Sequence, residues 1–255
     1  MCGGFRMRVI ALIPARYAAS RFPGKLMQLL AGKTVIRRTY ESVVGTQLFD
    51  DVVVVTDSEE ILSEITGFGG QAMMSLKEHE CGSDRIAEAA EQLPSADIIV
   101  NVQGDEPFTS REPIETLLAV FSAPEGAEID LASMMQRLHS SAHIQDPNYV
   151  KVAVDEQGRA LLFSRAAIPY PRDPQEAVYY EHIGVYAFRR QALLDFARTP
   201  KTPLEKAEKI ECLRYLETGK KIQMVEVPYM GVEIDTPEDL IQAERYLNGV
   251  QTKGS

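Results

Sequence analysis

Three cations, Arg16, Arg21 and Lys25, fall within one short stretch near the start of the chain, interleaved with small residues, Pro23 and Gly24. That mixture suits a loop whose backbone and charges approach a polyanion together; a solvated basic loop is the alternative. Two acidic stretches answer it. In Ala96-Asp-Ile-Ile-Val-Asn-Val-Gln-Gly-Asp-Glu-Pro107 an apolar, β-branched run turns at Gly104 and delivers Gln103, Asp105 and Glu106. Asp235 follows a similar approach, Gly231-Val-Glu-Ile-Asp235. If Asp105 and Asp235 meet across the 130 positions between them, they make a two-carboxylate site. Mg²⁺ takes one or two such groups alongside phosphate oxygens. With the helix start expected at Gly82-Ser-Asp-Arg85, these residues fit phosphoryl or nucleotidyl transfer, where catalysis is positioning and charge neutralisation. No H-E-x-x-H or G-x-S-x-G is present. Ala31-Gly-Lys-Thr34 imitates the end of a P-loop, but that motif needs Gly where this chain has Met27.

The elements that must position these groups alternate. Arg8 to Pro14, Asp51 to Thr56 and Ile98 to Val102 read as strands buried on both faces, the central type of a parallel sheet. Helices are expected from Thr34 to Val44, after Asp57-Ser58, over Ile86 to Glu91, and over Pro113 to Phe121. Strand and helix in alternation imply right-handed crossovers. In such sheets ligands bind outside the carboxyl ends of the strands, where Asp105 stands. Tyr149 to Asp155 and Ala160 to Ser164 flank a turn and read as an antiparallel hairpin. Tyr180 to Phe188 alternates, with His182, Gly184, Tyr186 and Phe188 on one side. Leu204 to Leu216 reads as one helix carrying Glu205, Glu208, Glu211 and Arg214 on one stripe. Thr236-Pro-Glu-Asp239 caps and starts the last helix. The expected class is α/β, a Rossmann-like three-layer sandwich with a mostly parallel mixed central sheet and an inserted β-hairpin subregion. We expect an extension over 1–6, a single domain over 7–250 with that subregion at 130–190, and a tail over 251–255.

Composition narrows the function classes. The net charge of −10 over 255 residues argues against a nucleic-acid surface, which wants clustered Lys and Arg. A cleft with a few cations still suits an anionic small molecule. Cys2, Cys81 and Cys212 are odd in number and far apart, which offers no disulfide framework or zinc site and fits a reducing cytoplasm. No run approaches the roughly 18 apolar residues a membrane span needs.

Taken in order, the motifs resemble one family closely. They are Ile13-Pro-Ala-Arg-Tyr-Ala-Ala-Ser-Arg-Phe-Pro-Gly-Lys25, Thr56-Asp57, Gly82-Ser-Asp-Arg85, Asn101-Val-Gln-Gly-Asp-Glu-Pro107 and Phe163-Ser-Arg-Ala-Ala-Ile-Pro169. His182-Ile-Gly-Val-Tyr186, Pro203-Leu-Glu205 with Glu211, and Val232-Glu-Ile-Asp-Thr-Pro-Glu-Asp239 follow. From about Arg8 to Leu247 the chain resembles the 3-deoxy-manno-octulosonate (Kdo) cytidylyltransferases of the nucleotide-diphospho-sugar transferase superfamily. The resemblance implies a cytoplasmic, Mg²⁺-dependent homodimer that joins CTP and Kdo into CMP-Kdo and pyrophosphate for lipopolysaccharide assembly. It implies that Arg16, Arg21 and Lys25 bind the triphosphate, with Arg16 and Lys25 counted with Asp105 and Asp235 as catalytic. Ser83, Arg85 and Gln103 would hold the nucleotide, and Asp105 and Asp235 the metal. Gln103, Arg165, His182, Tyr186 and Glu211 would line the sugar pocket, with Arg165 facing the sugar carboxylate. A related acidic sugar, 8-amino-Kdo or sialic acid, is the alternative substrate, and a non-catalytic nucleotide-binding module the alternative class. Two departures stand out: Cys212 where the family commonly has Gln, and Glu233-Ile234 before Asp235.

Overall fold

β-branched runs set the first half of the chain. In the computed structural model, which describes residues 6–17, 22–77, 79, 81–228 and 231–249, β1 (Val9–Ala15) leads to a small ribbon of β2 (Leu29–Leu30) and β3 (Lys33–Thr34). Then come α1 (Val35–Gly45), β4 (Asp51–Thr56), α2 (Glu59–Gly67), β5 (Ala72–Met74), α3 (Gly82–Glu91), β6 (Ile98–Asn101) and α4 (Arg111–Ala119). The chain forms two compact units, Met1–Ile114 with Met230–Ser255, and Glu115–Tyr229.

The first unit carries a wholly parallel run of strands, β6-β1-β4-β5. Ile10 to Ile13 and Ile98 to Val100 are fully buried, as two-sided hydrophobic runs require. Each Ile, Leu or Val side chain among them contributes about 1.5–3 kcal/mol on burial. Thr34 caps α1, its hydroxyl accepting from the Arg37 N–H at 3.3 Å, and Ser58 caps α2 through Ile61. Because the strands are parallel, β1, β4 and β6 all end at one edge, which releases Arg16, Asp57 and Gln103 there together.

The second unit is mixed. It comprises β7 (Leu131–Leu138), α5 (Ser141–Gln145), β8 (Lys151–Val154), β9 (Ala160–Ser164), β10 (Tyr179–Arg189), α6 (Arg190–Arg198), α7 (Pro203–Glu208), α8 (Cys212–Glu217) and β11 (Ile222–Glu226). β10 runs antiparallel to β7, and β11 parallel to it. β8 and β9 form the expected hairpin, with β8 also pairing β10. The 130–190 subregion lies within this unit. The α/β class stands: strands flanked by helices in both units, with the hairpin where it was expected.

One expected element is corrected. The helix read over Leu204 to Leu216 is two helices, broken at Lys209, which sits in the left-handed region at φ 57°. Arg214 on α8 folds back to give a bidentate pair to Glu205 on α7, at 2.8 and 2.6 Å, and stacks on Phe196. Glu205 and Arg214 are therefore core residues rather than a solvated stripe. The chain then returns to the first unit, where α9 (Pro237–Leu247) starts on a capping box between Thr236 and Asp239. Among the described residues no helix is long and apolar enough to cross a membrane.

Candidate active site

In the first unit the two distant acidic stretches do meet. The Ile234 N–H donates to the Asp105 carbonyl at 3.0 Å, which sews the approach to α9 onto the turn after β6. Gly104 makes that turn possible: a Cβ there would fall 3.1 Å from the Pro14 carbonyl and 3.3 Å from Ile36 and Leu26. Gly231 is needed too, with φ +106° and Phe108 Cβ 2.7 Å from where a side chain would start. The Lys25 ammonium then bridges the carboxylates of Asp105 and Asp235, the latter at 2.7 Å. Burial lowers the pKa of Lys25, but its two carboxylate partners outweigh that and raise it, so the ammonium is charged at neutral pH.

A third carboxylate joins them. Glu233 places an oxygen within 4.8 Å of ligand oxygens on both Asp105 and Asp235. Burial and repulsion from Asp105, Glu106 and Asp235 push its pKa well above the carboxylate range. Since Glu233 is exposed, the repulsion is the cause that holds. An all-oxygen set of converging carboxylates, already attractive to one cation, fits a hard dication such as Mg²⁺. Glu233 was legible in principle: it alternates with Asp235 about the fully buried Ile234, so both acids share a side.

Beside this cluster lies the start of α3. The helix starts where Gly82-Ser-Asp-Arg85 led us to expect; its N-cap is Cys81, and Ser83 is a buried first-turn residue. Arg85 is 4% exposed. One of its nitrogens donates to Asp57 at 2.6 Å, while Nη1 is buried without a partner among the described residues. A buried, unpaired guanidinium N–H is costly, so it calls for an acceptor such as a water, an ion or a ligand. Asp57 accounts for a cation on a first helical turn, where the dipole disfavours it. Gln103 lies against the same helix start, its Oε1 3.6 Å from where a Gly82 side chain would begin. Its Nε2 reaches Asn101 Oδ1 at 3.5 Å. Arg16 is exposed at the end of β1, and Arg21 lies outside the described residues.

In the second unit, His182 and Tyr186 come together on β10, with ring centroids 5.4 Å apart. A two-residue bulge separates them: Ile183 pairs with Met134, but Tyr186 pairs with the next residue, Ser133. Two added residues preserve the alternation, which is why period-two reading placed both on one side. The Ser133 hydroxyl fills the bulge, donating to the Val185 carbonyl at 2.9 Å and lying 3.1 Å from His182 Nε2. Cys212 completes the cluster, its Sγ 3.3 Å from the Tyr186 hydroxyl and 3.8 Å from His182. Burial pushes the Cys212 thiol up to about 12 and the His182 imidazole down to about 4, so both are neutral at pH 7. Glu211 is the N-cap of α8, next to Cys212. Arg165 leaves β9 with its guanidinium on the carbonyls of Glu208 at 2.7 Å and Pro147 at 2.9 Å.

The His182 shift has a sign that can be tested. Between its unfolded pKa of 6.5 and the folded value of about 4, the unfolded chain binds the extra proton. Stability therefore falls as pH drops through that window, with a ceiling of about 3 kcal/mol at 1.36 kcal/mol per pK unit. Urea unfolding of wild type against His182→Gln, at pH 7 and pH 4.5, should show a smaller acid loss in the variant. Equal losses would show that His182 is solvated.

A parallel sheet edge with bridged carboxylates and a buried arginine at a helix start defines a nucleotide-handling α/β protein. Comparison with known proteins narrows the class: the family model described as cytidylyltransferase matches residues 10–222, and the chain belongs to that family. It is 58% identical to the 3-deoxy-manno-octulosonate cytidylyltransferase of Flavobacterium johnsoniae, across 96% of this chain and 100% of that one. Identity to the enzyme of the same name from Christiangramia forsetii is also 58%, across 94% and 97%. The solved structure of CMP:2-keto-3-deoxy-manno-octonic acid synthetase complexed with CTP superposes with a TM-score of 0.90 at 35% identity, covering 96% of this chain and 100% of that one.

Proposed function

We propose that this chain transfers CMP from CTP to the anomeric hydroxyl of Kdo and releases pyrophosphate. The observation that carries the reading is the Lys25 ammonium between Asp105 and Asp235 at the strand ends of the first unit. In a chain so similar to named Kdo cytidylyltransferases, that trio is where triphosphate charge is handled.

Each group then has a task. Arg16, Arg21 and Lys25 neutralise the triphosphate. Arg85, its free Nη1 aimed at an acceptor, holds the cytosine end with Ser83 and Gln103. Asp105 and Asp235, with Glu233 beside them, would hold Mg²⁺, which when bound would acidify the sugar hydroxyl and neutralise phosphate charge. In the second unit Arg165, His182, Tyr186 and Glu211 orient Kdo, Arg165 taking its carboxylate. The hydroxyl attacks the α-phosphorus in line as pyrophosphate leaves. Neutral His182 and a protonated Cys212 thiol supply hydrogen bonds rather than a base or a nucleophile. The absence of any disulfide or zinc spacing in the sequence supports action in the cytoplasm, and the family resemblance supports a homodimer that serves lipopolysaccharide assembly.

The test is pyrophosphate release from CTP and Mg²⁺ with Kdo, 8-amino-Kdo or sialic acid as acceptor. The highest kcat/KM is expected with Kdo. Preference for either other sugar, or no release with any, would refute the reading.

A further inference from the structure

We propose that Glu208 is a positioning residue for sugar recognition: it holds Arg165 as an un-neutralised cation ready for the substrate carboxylate. This rests on the Kdo reading above and deepens it. A carboxylate packed beside an arginine would ordinarily form an ion pair with it. Here it does not. Glu208 spends one oxygen on the Ser164 hydroxyl, at 2.7 Å, and the other on the Arg165 backbone N–H, at 3.0 Å. Among the described residues the guanidinium donates to neutral acceptors, the Glu208 carbonyl through Nε and the Pro147 carbonyl through Nη1. Among the described residues no carboxylate forms a salt bridge with Arg165.

The break between α7 and α8 is what permits this. Lys209 in the left-handed conformation ends α7 at Glu208, so its carbonyl turns outward to Arg165 instead of continuing the helix. The neighbouring 146–149 segment acts as a shelf of carbonyls: Pro147 accepts from Arg165, while Asp146 and Tyr149 accept from the fully buried Lys151. Glu208 thus fixes both the main chain and the side chain of Arg165 from one residue, and leaves its charge for an incoming anion. A guanidinium fixed before binding loses less freedom when the carboxylate arrives, which lowers KM for the sugar and leaves the chemical step alone.

The experiment is steady-state pyrophosphate release by the full chain as wild type, Glu208→Gln and Glu208→Ala, varying Kdo at saturating CTP and then the reverse. Glu208→Ala is expected to raise KM for Kdo about tenfold, a loss of about 1.4 kcal/mol, with kcat and KM for CTP within about twofold of wild type. Glu208→Gln keeps an acceptor for Ser164 but turns an amide toward the Arg165 N–H, so it should fall between. A loss confined to kcat, a parallel rise in KM for CTP, or an unchanged KM for Kdo in both variants would overturn the proposal. If Glu208→Ala does not fold, Glu208→Gln alone decides by the same criteria. Failure of the underlying reading shows separately, as a wild-type chain inactive with Kdo.

Discussion

Asp105→Asn is expected to cost about three orders of magnitude in kcat while leaving the fold intact. Asp105 is the acid that every other member of the first-unit cluster touches: Lys25 by an ion pair, Ile234 by a backbone hydrogen bond, Glu233 and Asp235 by proximity. Asn matches its shape, so the Ile234 N–H to Asp105 carbonyl link survives and the two acidic stretches stay joined. What is lost is one unit of negative charge from the Asp105, Glu233 and Asp235 cluster. Charge stabilisation by a metal in such a site is worth several kcal/mol. At 1.36 kcal/mol per tenfold, about 4 kcal/mol corresponds to a thousandfold. Removing the first upward influence on Lys25 should also lower its pKa toward the ordinary lysine value, without making it neutral at pH 7. Single-turnover rates, Mn²⁺ binding by paramagnetic resonance and urea unfolding together check this. Near-normal turnover, or normal Mn²⁺ affinity, refutes the metal role of Asp105.

How much of this was legible without coordinates follows from which forces are local. The strands of the first unit were readable because burial on both faces leaves unbroken runs of Val and Ile, and β1, β4 and β6 fall where those runs fall. Parallel pairing then forces their ends to one edge, so the place of Asp105 at that edge was readable from its strand alone. Helix starts at Thr34, Ser58 and Thr236 were readable because capping is a contact within one turn. The misreadings are tertiary. Nothing within Leu204 to Leu216 forbids a continuous helix; the bend at Lys209 is fixed by Arg214 reaching back to Glu205 and by Arg165 taking the Glu208 carbonyl. Likewise the β10 bulge is filled by Ser133 from another strand. Two members of the stripe read over Leu204 to Leu216 are structural: Glu205 is buried against Arg214, and Glu208 accepts from the Arg165 backbone N–H. The cluster around Cys212 shows why its replacement of Gln is compatible with the fold: a protonated thiol still meets the Tyr186 hydroxyl and the His182 ring.

Lys25→Met separates two roles that turnover alone cannot. It is expected to lower kcat by about three orders of magnitude, like Asp105→Asn, yet to raise the affinity of the nucleotide-free protein for a divalent cation by about tenfold. Without nucleotide, the ammonium occupies the space between the Asp105 and Asp235 carboxylates, so it competes for the same charge that would attract a metal. Two unit charges about 4 Å apart interact by roughly 4 kcal/mol at an effective dielectric of 20. Asp235 is one-third exposed, which screens the pair, so a net effect near 1.4 kcal/mol, or tenfold, is the reasonable scale. Raising the pH within the neutral range cannot relieve the competition. The pKa of Lys25 is raised above 10.5, so its favourable pairing is fully present below that value and fades only as pH climbs through the folded pKa. Removing the charge by substitution is therefore the clean comparison. On the function proposed above, a bound triphosphate would offer the ammonium a stronger anion, and the two carboxylates would then be free to hold a metal. Calorimetric titration of Mn²⁺ into wild type and Lys25→Met, each with and without CTP, measures the exchange. The variant should bind more tightly without CTP and gain less from its addition. Metal affinity falling in step with turnover would mean that Lys25 holds the site open rather than guarding it.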